Sequence, residues 1–337
     1  MSNRFQHIVQ RWSLEKDHCE WVLATIIETN GSAYRKAGAR MMINSFGQSY
    51  GLLSGGCLES DLMRQARKCW DTHQNHIVCY DMQDESDIAW QLGIGCGGMV
   101  KVLLQPINKA NNYLDLLKVN SLLTERKSLY YYQYLFSDQI VNRVLADDEV
   151  KEVLAKQSEE KVEPSAFVNQ IKARPTITIF GGGSDAVPLV NMAKELGWYV
   201  TLIDSRTNYA RQAYFKNADT IIKQAYDTLT NHQAIELADV IVIMNHNLEL
   251  DAKALKLSEQ GSCQYIGLLG PSHRTERVLS LGDISQKRLA TRLFNPVGLH
   301  LGGELPESIA LAILAEAHAY VENGSMLPMK EHVKSKG

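Results

Sequence analysis

A run of glycines in the second half of the chain constrains the fold more than any other feature. The segment 177–186 reads Ile-Thr-Ile-Phe-Gly-Gly-Gly-Ser-Asp-Ala and fits the spacing G-x-G-x-x-A, with Gly181 and Gly183 as the paired glycines. A strand-like run precedes these glycines and a helix-like run follows them. This order is typical of a phosphate-binding turn, in which the backbone approaches the phosphate and the first N–H groups of the helix face the anion.

An acidic residue downstream strengthens this interpretation. Asp204 follows the strand-like run 199–203, roughly 20 residues after the glycines, where an acid would meet ribose hydroxyls. Arg206 comes two residues later, and its guanidinium is suited to an additional phosphate. The alternative is a glycine-rich turn that binds no nucleotide. We predict a Rossmann-type nucleotide site formed by Gly181, Gly182, Gly183, Asp204 and Arg206.

The region after Pro175 alternates between strand-like and helix-like runs, which favours a parallel sheet. His246 follows one of the strand-like runs at its carboxyl end, a common position for a side chain that faces a ligand. A surface-loop histidine is the alternative for this residue. The predicted strands are 176–180, 199–203, 240–244 and 264–268, and the predicted helices are 186–196, 252–259 and 306–321.

The residues before Pro175 differ in composition from those after it. The whole chain has 337 residues, which suffice for two domains. The first part has short β-like runs broken by glycine, whereas the middle part has no glycine and carries a polar run at 158–164. We predict an α/β protein, with a mixed α+β N-terminal domain before the Rossmann-like parallel-sheet domain. The predicted divisions are 1–107 for the first domain, 108–174 for a connecting region partly paired with it, 175–330 for the Rossmann-like domain and 331–337 for a tail.

Composition excludes several classes of partner. The net charge of -3 gives no reason to expect a nucleic acid or an anionic membrane as partner. No apolar run approaches the roughly 20 residues that span a bilayer, and the polar N-terminus predicts no secretory signal. The six cysteines are scattered without a C-x-x-C pair, which indicates free thiols in a reducing compartment. We therefore expect a cytoplasmic protein.

Two of these cysteines lie in glycine-rich turns. Cys57 follows Gly55 and Gly56 and precedes a helix-like stretch, so its thiol would lie at a helix N-terminus that favours the thiolate. Cys96 lies among four glycines, including Gly97. The two thiols together are suited to a soft metal or a sulfur-bearing cofactor, but they are too few for a zinc site. The alternative is that both cysteines simply fill gaps at strand crossings.

Taken together and in this order, the motifs resemble those of the XdhC/CoxI family, accessory proteins for molybdenum-containing hydroxylases such as xanthine dehydrogenase. The resemblance covers most of the chain outside the middle region. The residues that carry it are 24–32, 38–41, 54–59, 95–98, 179–183, 204–206, 244–246, 265–270, 296–299 and 306–310.

The resemblance implies a molybdenum cofactor chaperone rather than an enzyme. Such a protein binds the cofactor, as molybdopterin or its dinucleotide, protects it and delivers it to an apo molybdenum hydroxylase. It also implies a homodimer, and a cysteine desulfurase as a further partner. On this interpretation Cys57 and Cys96 lie near the molybdenum or the dithiolene. The glycine turn and Asp204 hold the phosphate or nucleotide part of the cofactor. Residues 265–270, with Gly267 and Gly270, close the opposite side of the ligand crevice at the strand ends of the C-terminal domain.

Some positions depart from the family pattern, among them Asn245, His300, Gly303, Leu305 and the turn 271–274. These departures concern the ligand contacts of the C-terminal crevice. The residues themselves are also compatible with two other functions. The glycine turn and Asp204 also fit an NAD(P)-dependent oxidoreductase, and Cys57 would suit a thiol-dependent sulfur or nucleotidyl transferase.

Overall fold

The chain forms two compact units, Met1–Arg174 and Pro175–Gly337. The computed structural model describes residues 3–56, 58–81, 98–136, 141–159, 166–261, 263–285, 289, 293–328 and 331. Cys57, Cys96 and Gly97 lie outside these residues. The finer division into 1–107, 108–174, 175–330 and 331–337 stays a prediction.

The first unit is built on a five-stranded antiparallel sheet with the order β3-β2-β1-β5-β4. Helix α2 covers one face of this sheet and helix α1 packs on the other. Because the sheet is covered on both faces, β1 begins with six consecutive buried residues. The elements are α1 Phe5–Glu15, β1 Trp21–Asn30, β2 Arg40–Asn44, β3 Ser49–Gly51, α2 Glu59–Thr72, β4 His76–Asp81 and β5 Met99–Ile107.

A second, three-stranded antiparallel sheet belongs to the same unit, in the order β7-β6-β8. Its central strand includes the tyrosine-rich run 130–134, and Tyr131 joins the same apolar core as α1 and α3. The elements are α3 Leu116–Thr124, β6 Leu129–Tyr134, β7 Asn142–Leu145, α4 Asp147–Glu159 and β8 Ala166–Ile171.

Buried polar side chains join the two sheets of this unit. The Arg40 guanidinium donates to the Gly38 carbonyl and the Gln133 amide oxygen, both at 3.0 Å, and to Asn169. Gln133 in turn donates to the Thr25 hydroxyl at 3.1 Å. Among the described residues no carboxylate pairs with Arg40, and burial lowers the pKa of this arginine to about 10. The cation is therefore held by neutral oxygens and by the aromatic rings beside it.

The second unit is a six-stranded parallel sheet with the order β11-β10-β9-β12-β13-β14. Numbered within the unit this order is 3-2-1-4-5-6, the order of a dinucleotide-binding Rossmann fold. The predicted α/β class with a Rossmann-like C-terminal domain is confirmed. The strands are β9 Thr176–Phe180, β10 Tyr199–Ile203, β11 Thr220–Ile222, β12 Val240–Ile243, β13 Tyr265–Leu268 and β14 Leu293–Phe294.

Helices cover both faces of this sheet. α5 and α9 share a core with one face, and α7 and α8 share a core with the other. No helix in the described part of the chain is both long enough and apolar enough to cross a membrane. The helices are α5 Ala186–Glu195, α6 Gln233–Glu236, α7 Leu248–Ser258, α8 Ser272–Gly282 and α9 Pro306–Val321.

Two differences from the sequence-based expectations have local causes. Helix α7 begins at Leu248 rather than at residue 252, because the Asn247 side chain caps it by accepting from the Leu250 N–H at 3.0 Å. Strands β11 and β14 were not predicted, because runs of three and two residues carry too little pattern to recognise. Helix α8 was also not predicted.

Candidate functional site

The order of the parallel strands creates a crevice where β9 and β12 lie side by side. The chain leaves these two strands in opposite directions, and ligands of such folds bind outside the carboxyl ends of the strands at this point. We call this region the strand-end crevice. It comprises the residues that follow β9, β10, β12 and β13, namely 181–185, 204–206, 245–246 and 269–270.

The first two glycines of the turn are required by contacts between backbone segments. Gly181 has φ +112°, and a Cβ there would lie 2.5 Å from the carbonyl oxygen of Met244. A Cβ on Gly182 would lie 2.4 Å from the backbone nitrogen of Ala210, which donates to the Gly182 carbonyl at 3.0 Å. Both glycines are buried. Glycine at these positions therefore lets neighbouring chain segments approach.

The third glycine of the turn is different. Gly183 is only half-buried, and its added Cβ would meet only the flexible side chain of Asp185. Within the described part of the chain, the N–H groups of Gly183 and Ser184 make no hydrogen bond. These two donors precede α5 and are the ones that could face an anion.

Asp204 is fully buried, although a residue that contacts ribose would have to be accessible. Its Oδ2 accepts from the Gly182 N–H and from Arg206 Nη2, each at 2.7 Å. Its Oδ1 accepts from the backbone N–H and the Nε of Arg206, each at 2.9 Å. The acid therefore ties the glycine turn to the arginine that follows it.

Arg206 links Asp204 to the next strand end. Its Nη1 donates to the carbonyl of Asn245 at 3.0 Å, and its guanidinium lies 3.5 Å from the centre of the Tyr209 ring. The hydrogen bond to Asp204 raises the pKa of Arg206, so the side chain stays charged. About a quarter of the side chain, 26%, remains exposed. The crevice thus offers a fixed, partly accessible cation.

His246 pairs with an acid on the glycine turn. Its Nε2 lies 2.6 Å from Oδ2 of Asp185, and its backbone has φ +56°. This hydrogen bond raises the pKa of His246. Burial raises the pKa of Asp185, but the hydrogen bond from His246 and the neighbouring N–H groups outweigh burial, so the pKa is lowered overall. The structure therefore brings the predicted His246 to the glycine turn, beside an acid that the sequence analysis did not single out.

A second buried acid was also missed. Asp251, on α7, accepts from the Asn245 side chain at 3.0 Å and forms an ion pair with Arg274. Tyr226 donates to the Asn245 amide oxygen at 2.6 Å. These residues join the ends of β12 and β13 beneath the crevice. The one available signal was an acid on the apolar face of a helix.

Gly267 and Gly270 have different roles. Gly267 lies within β13, where an added Cβ would lie 2.5 Å from a methyl group of Val297. Packing therefore explains why position 267 is a glycine. Gly270 has φ +123° and lies at the strand end, against the side chain of Arg274. Only Gly270 of this pair belongs to the crevice.

The C-terminal end of β3 and the N-terminal end of β5 point toward the same end of the five-stranded sheet. Gly56 follows β3, whose last residue pairs with Met41, and Gly98 precedes β5, whose first residue pairs with Asn30. A Cβ on Gly98 would lie 2.4 Å from the Ser32 carbonyl, whereas a Cβ on Gly55 or Gly56 would meet none of the described atoms within 4 Å. The ligand roles of Cys57, Cys96 and Gly97 stay predictions. Across the residues that are described, no three His, Cys, Asp or Glu side chains are arranged to hold a metal.

Comparison with known proteins decides the family. Residues 14–81 match the model of the XdhC and CoxI family, and residues 177–317 match that of the XdhC Rossmann domain. A Bacillus subtilis protein, named as a probable subunit of xanthine dehydrogenase, is 32% identical over 90% of this chain and 94% of its own length. The chain belongs to the XdhC and CoxI family.

Two further proteins are similar to this chain over most of its length. The Escherichia coli protein named molybdenum cofactor insertion chaperone PaoD is 22% identical over 91% of this XdhC/CoxI chain and 86% of its own length. A crystal structure described as a xanthine dehydrogenase from Bacillus halodurans is 31% identical, with a TM-score of 0.82 over 96% of both chains. The family resemblance inferred from the motifs is thereby confirmed.

Proposed function

We propose that this protein is a molybdenum cofactor-binding chaperone that protects the cofactor and delivers it to an apo molybdenum hydroxylase of the xanthine dehydrogenase or aldehyde oxidase type. The observation that carries the proposal is the similarity to PaoD over nine-tenths of the chain. The similarity to a protein named for xanthine dehydrogenase supports the same class of client enzyme.

The chemistry of the strand-end crevice supports this proposal. The cofactor has an anionic phosphate part, and Arg206 supplies a cation that its bond to Asp204 keeps charged. The unengaged N–H groups of Gly183 and Ser184 are suited to the same anion. This donor set fits a phosphoryl group. Ligand binding there would need no acid or base, since the proposed activity is binding and release.

The N-terminal turns supply the sulfur chemistry in this proposal. Cys57 and Cys96 would contact the molybdenum or the dithiolene. Among the described residues, none approaches an added Cβ on Gly55 or Gly56 within 4 Å, which supports a ligand site next to Cys57 in the sequence. Installation of the terminal sulfur would require a cysteine desulfurase as a partner. We further propose that the protein works in the cytoplasm as a homodimer.

The nicotinamide alternative is supported less well. An NAD(P)-dependent oxidoreductase would share the glycine turn, but it would use Asp204 to bind ribose, and this carboxylate is already saturated with hydrogen bonds. A sulfur or nucleotidyl transferase that acts through Cys57 has no specific support from the described residues.

The proposal is tested by expressing the protein in a host that makes the cofactor. We expect a pterin and molybdenum to copurify, measured by mass spectrometry of the released ligand and by metal analysis. Cys57→Ala and Cys96→Ala should each reduce the occupancy about tenfold, because a soft metal or dithiolene loses a sulfur contact.

Cys19→Ala is the matched control, since Cys19 is partly exposed and burial raises the pKa of its thiol. Its occupancy should equal that of the unchanged protein. Turnover of a nicotinamide with a small alcohol or aldehyde would contradict the chaperone proposal. Selective alkylation of Cys57 that abolished a transfer reaction would instead favour the thiol enzyme.

A further inference from the structure

The Asp204 carboxylate has no capacity left to accept a hydrogen bond. A carboxylate offers about four lone-pair sites, and two N–H groups already bond each oxygen of Asp204. The residue is also 0% exposed. Recognition of a ribose diol requires a carboxylate that can accept from two hydroxyls. Asp204 can do this only if Arg206 moves away.

Arg206 has the complementary property. One N–H group each on Nε, Nη1 and Nη2 is engaged, by Asp204 and by the Asn245 carbonyl. In the described part of the chain, the second N–H on Nη1 and the second on Nη2 have no partner. These two donors are thus left for another acceptor, and 26% of the side chain is exposed. A guanidinium presents such a pair of donors in the geometry that a phosphoryl group fits.

The surrounding loop holds this arrangement in place. Tyr209 stacks on the guanidinium, and the N–H of Ala210 bonds to the carbonyl of Gly182. The arginine is therefore fixed from three sides, by Asp204, by Asn245 and by Tyr209. A donor fixed before binding loses little conformational freedom when the ligand arrives.

We propose that the strand-end crevice selects its ligand through a phosphoryl group bound by Arg206, and that Asp204 is the residue that positions Arg206 rather than a ribose contact. The ligand class is therefore a phosphomonoester, and ligands recognised by a ribose diol at this point are disfavoured. This inference rests on the proposed function only in taking the crevice as the ligand site.

A matched pair of probes tests the selection. NADPH and NADH differ by one phosphoryl group, which in this fold lies beside the residue that ends the second strand. NADPH should bind at least tenfold more tightly than NADH, measured by nicotinamide fluorescence. Inorganic pyrophosphate should displace NADPH, and adenosine should not.

Arg206→Gln should reverse this preference. The substitution frees acceptor sites on Asp204 but keeps the two backbone N–H bonds, from Gly182 and from residue 206, so the carboxylate is not left unpaired. In this variant we expect the affinity for NADPH to fall at least tenfold and the affinity for NADH to rise. Asp204→Asn should lower the preference for NADPH over NADH, whereas a merely structural loss would weaken both probes equally.

Arg211→Gln is the matched control, because Arg211 is an exposed arginine on the same loop. The preference of this variant for NADPH over NADH should equal that of the unchanged protein. NADH binding as tightly as NADPH, displacement by adenosine, or failure of both probes to bind at millimolar concentration would each overturn the inference. None of these results alters the copurification of a pterin, so the two proposals fail separately.

Discussion

Two of the glycine-rich turns of this protein, 55–56 and 181–183, look alike in sequence but differ in what surrounds them. In the Rossmann unit, Gly181 and Gly182 lie against the backbones of Met244 and Ala210, and an added Cβ at either would overlap those atoms. In the N-terminal unit, Gly55 and Gly56 are exposed, and an added Cβ at either would meet none of the described atoms within 4 Å. The first pair is explained by packing, whereas packing among the described residues explains neither glycine of the second pair.

The difference separates structural from functional use of glycine. Where packing accounts for a glycine, no ligand is needed to explain it. Of Gly55 and Gly56, only Gly56 has a positive φ, +105°, and no atom of the described residues lies within 4 Å of an added Cβ at either. The open turn precedes Cys57, so it is the better place to look for a bulky ligand. Within the Rossmann turn, only Gly183 keeps this freedom.

The largest expected effect is that of Gly181→Ala. Its positive φ and the contact of 2.5 Å with the Met244 carbonyl should together lower the free energy of unfolding by about 3 kcal/mol. Urea denaturation measures the change. Gly55→Ala is the matched control and should change stability by no more than about 0.5 kcal/mol. Equal losses of unfolding free energy in the two variants would contradict the proposed difference between the two turns.

A smaller effect is expected for Ser54→Ala, which tests what holds the open turn. The Ser54 hydroxyl accepts from the Leu58 N–H at 3.0 Å and donates to Glu59, and Glu59 accepts from the Ser54 N–H at 3.0 Å. Loss of these hydrogen bonds should reduce stability by about 1 kcal/mol, measured by thermal or urea unfolding.

Ser60→Ala serves as the control for that variant, since Ser60 is exposed in the first turn of the same helix. It should leave the unfolding midpoint unchanged. If Ser54→Ala were equally neutral, the open turn would have to be held by other contacts.

The smallest effect is pH-dependent and concerns His246→Gln. The pKa of His246 is raised above 6.5, so its contribution to stability is complete below pH 6.5 and is lost as the pH rises through the raised value. The pKa of Asp185 is lowered below 3.8, so its contribution is lost only as the pH falls below 3.8. The pair should stabilise the fold between these limits, by less than about 1 kcal/mol because 61% of the histidine side chain is exposed.

Unfolding measured at pH 5.5 and pH 9 should therefore differ between the unchanged protein and His246→Gln only at the lower pH. The same substitution made in an Asp185→Asn background should have no effect at either pH. A difference that persisted at pH 9 would show that the histidine acts through packing and not through its pair.

Several elements of the Rossmann unit were predictable because they depend on local pattern. Strands Thr176–Phe180 and Tyr199–Ile203 and helix Pro306–Val321 have the predicted bounds, since continuous apolar runs and a proline near the helix start are visible in the sequence. The two short edge strands were missed. The position of His246 at a strand end was readable, but its partner Asp185 was not, because 61 residues separate them.

The sequence by itself determined the alternation of strands and helices after Pro175, the glycine turn after β9 and the family. Spacing between near neighbours is sufficient for these features, because hydrophobic periodicity and backbone sterics act over a few residues. Only the tertiary structure decided what Asp204 and Arg206 do. Their partners are Gly182 and the carbonyl of Asn245, which are 22 and 39 residues away along the chain. Whether a carboxylate faces a ligand or an arginine depends on which groups the folded strands bring together, and no local pattern contains that information.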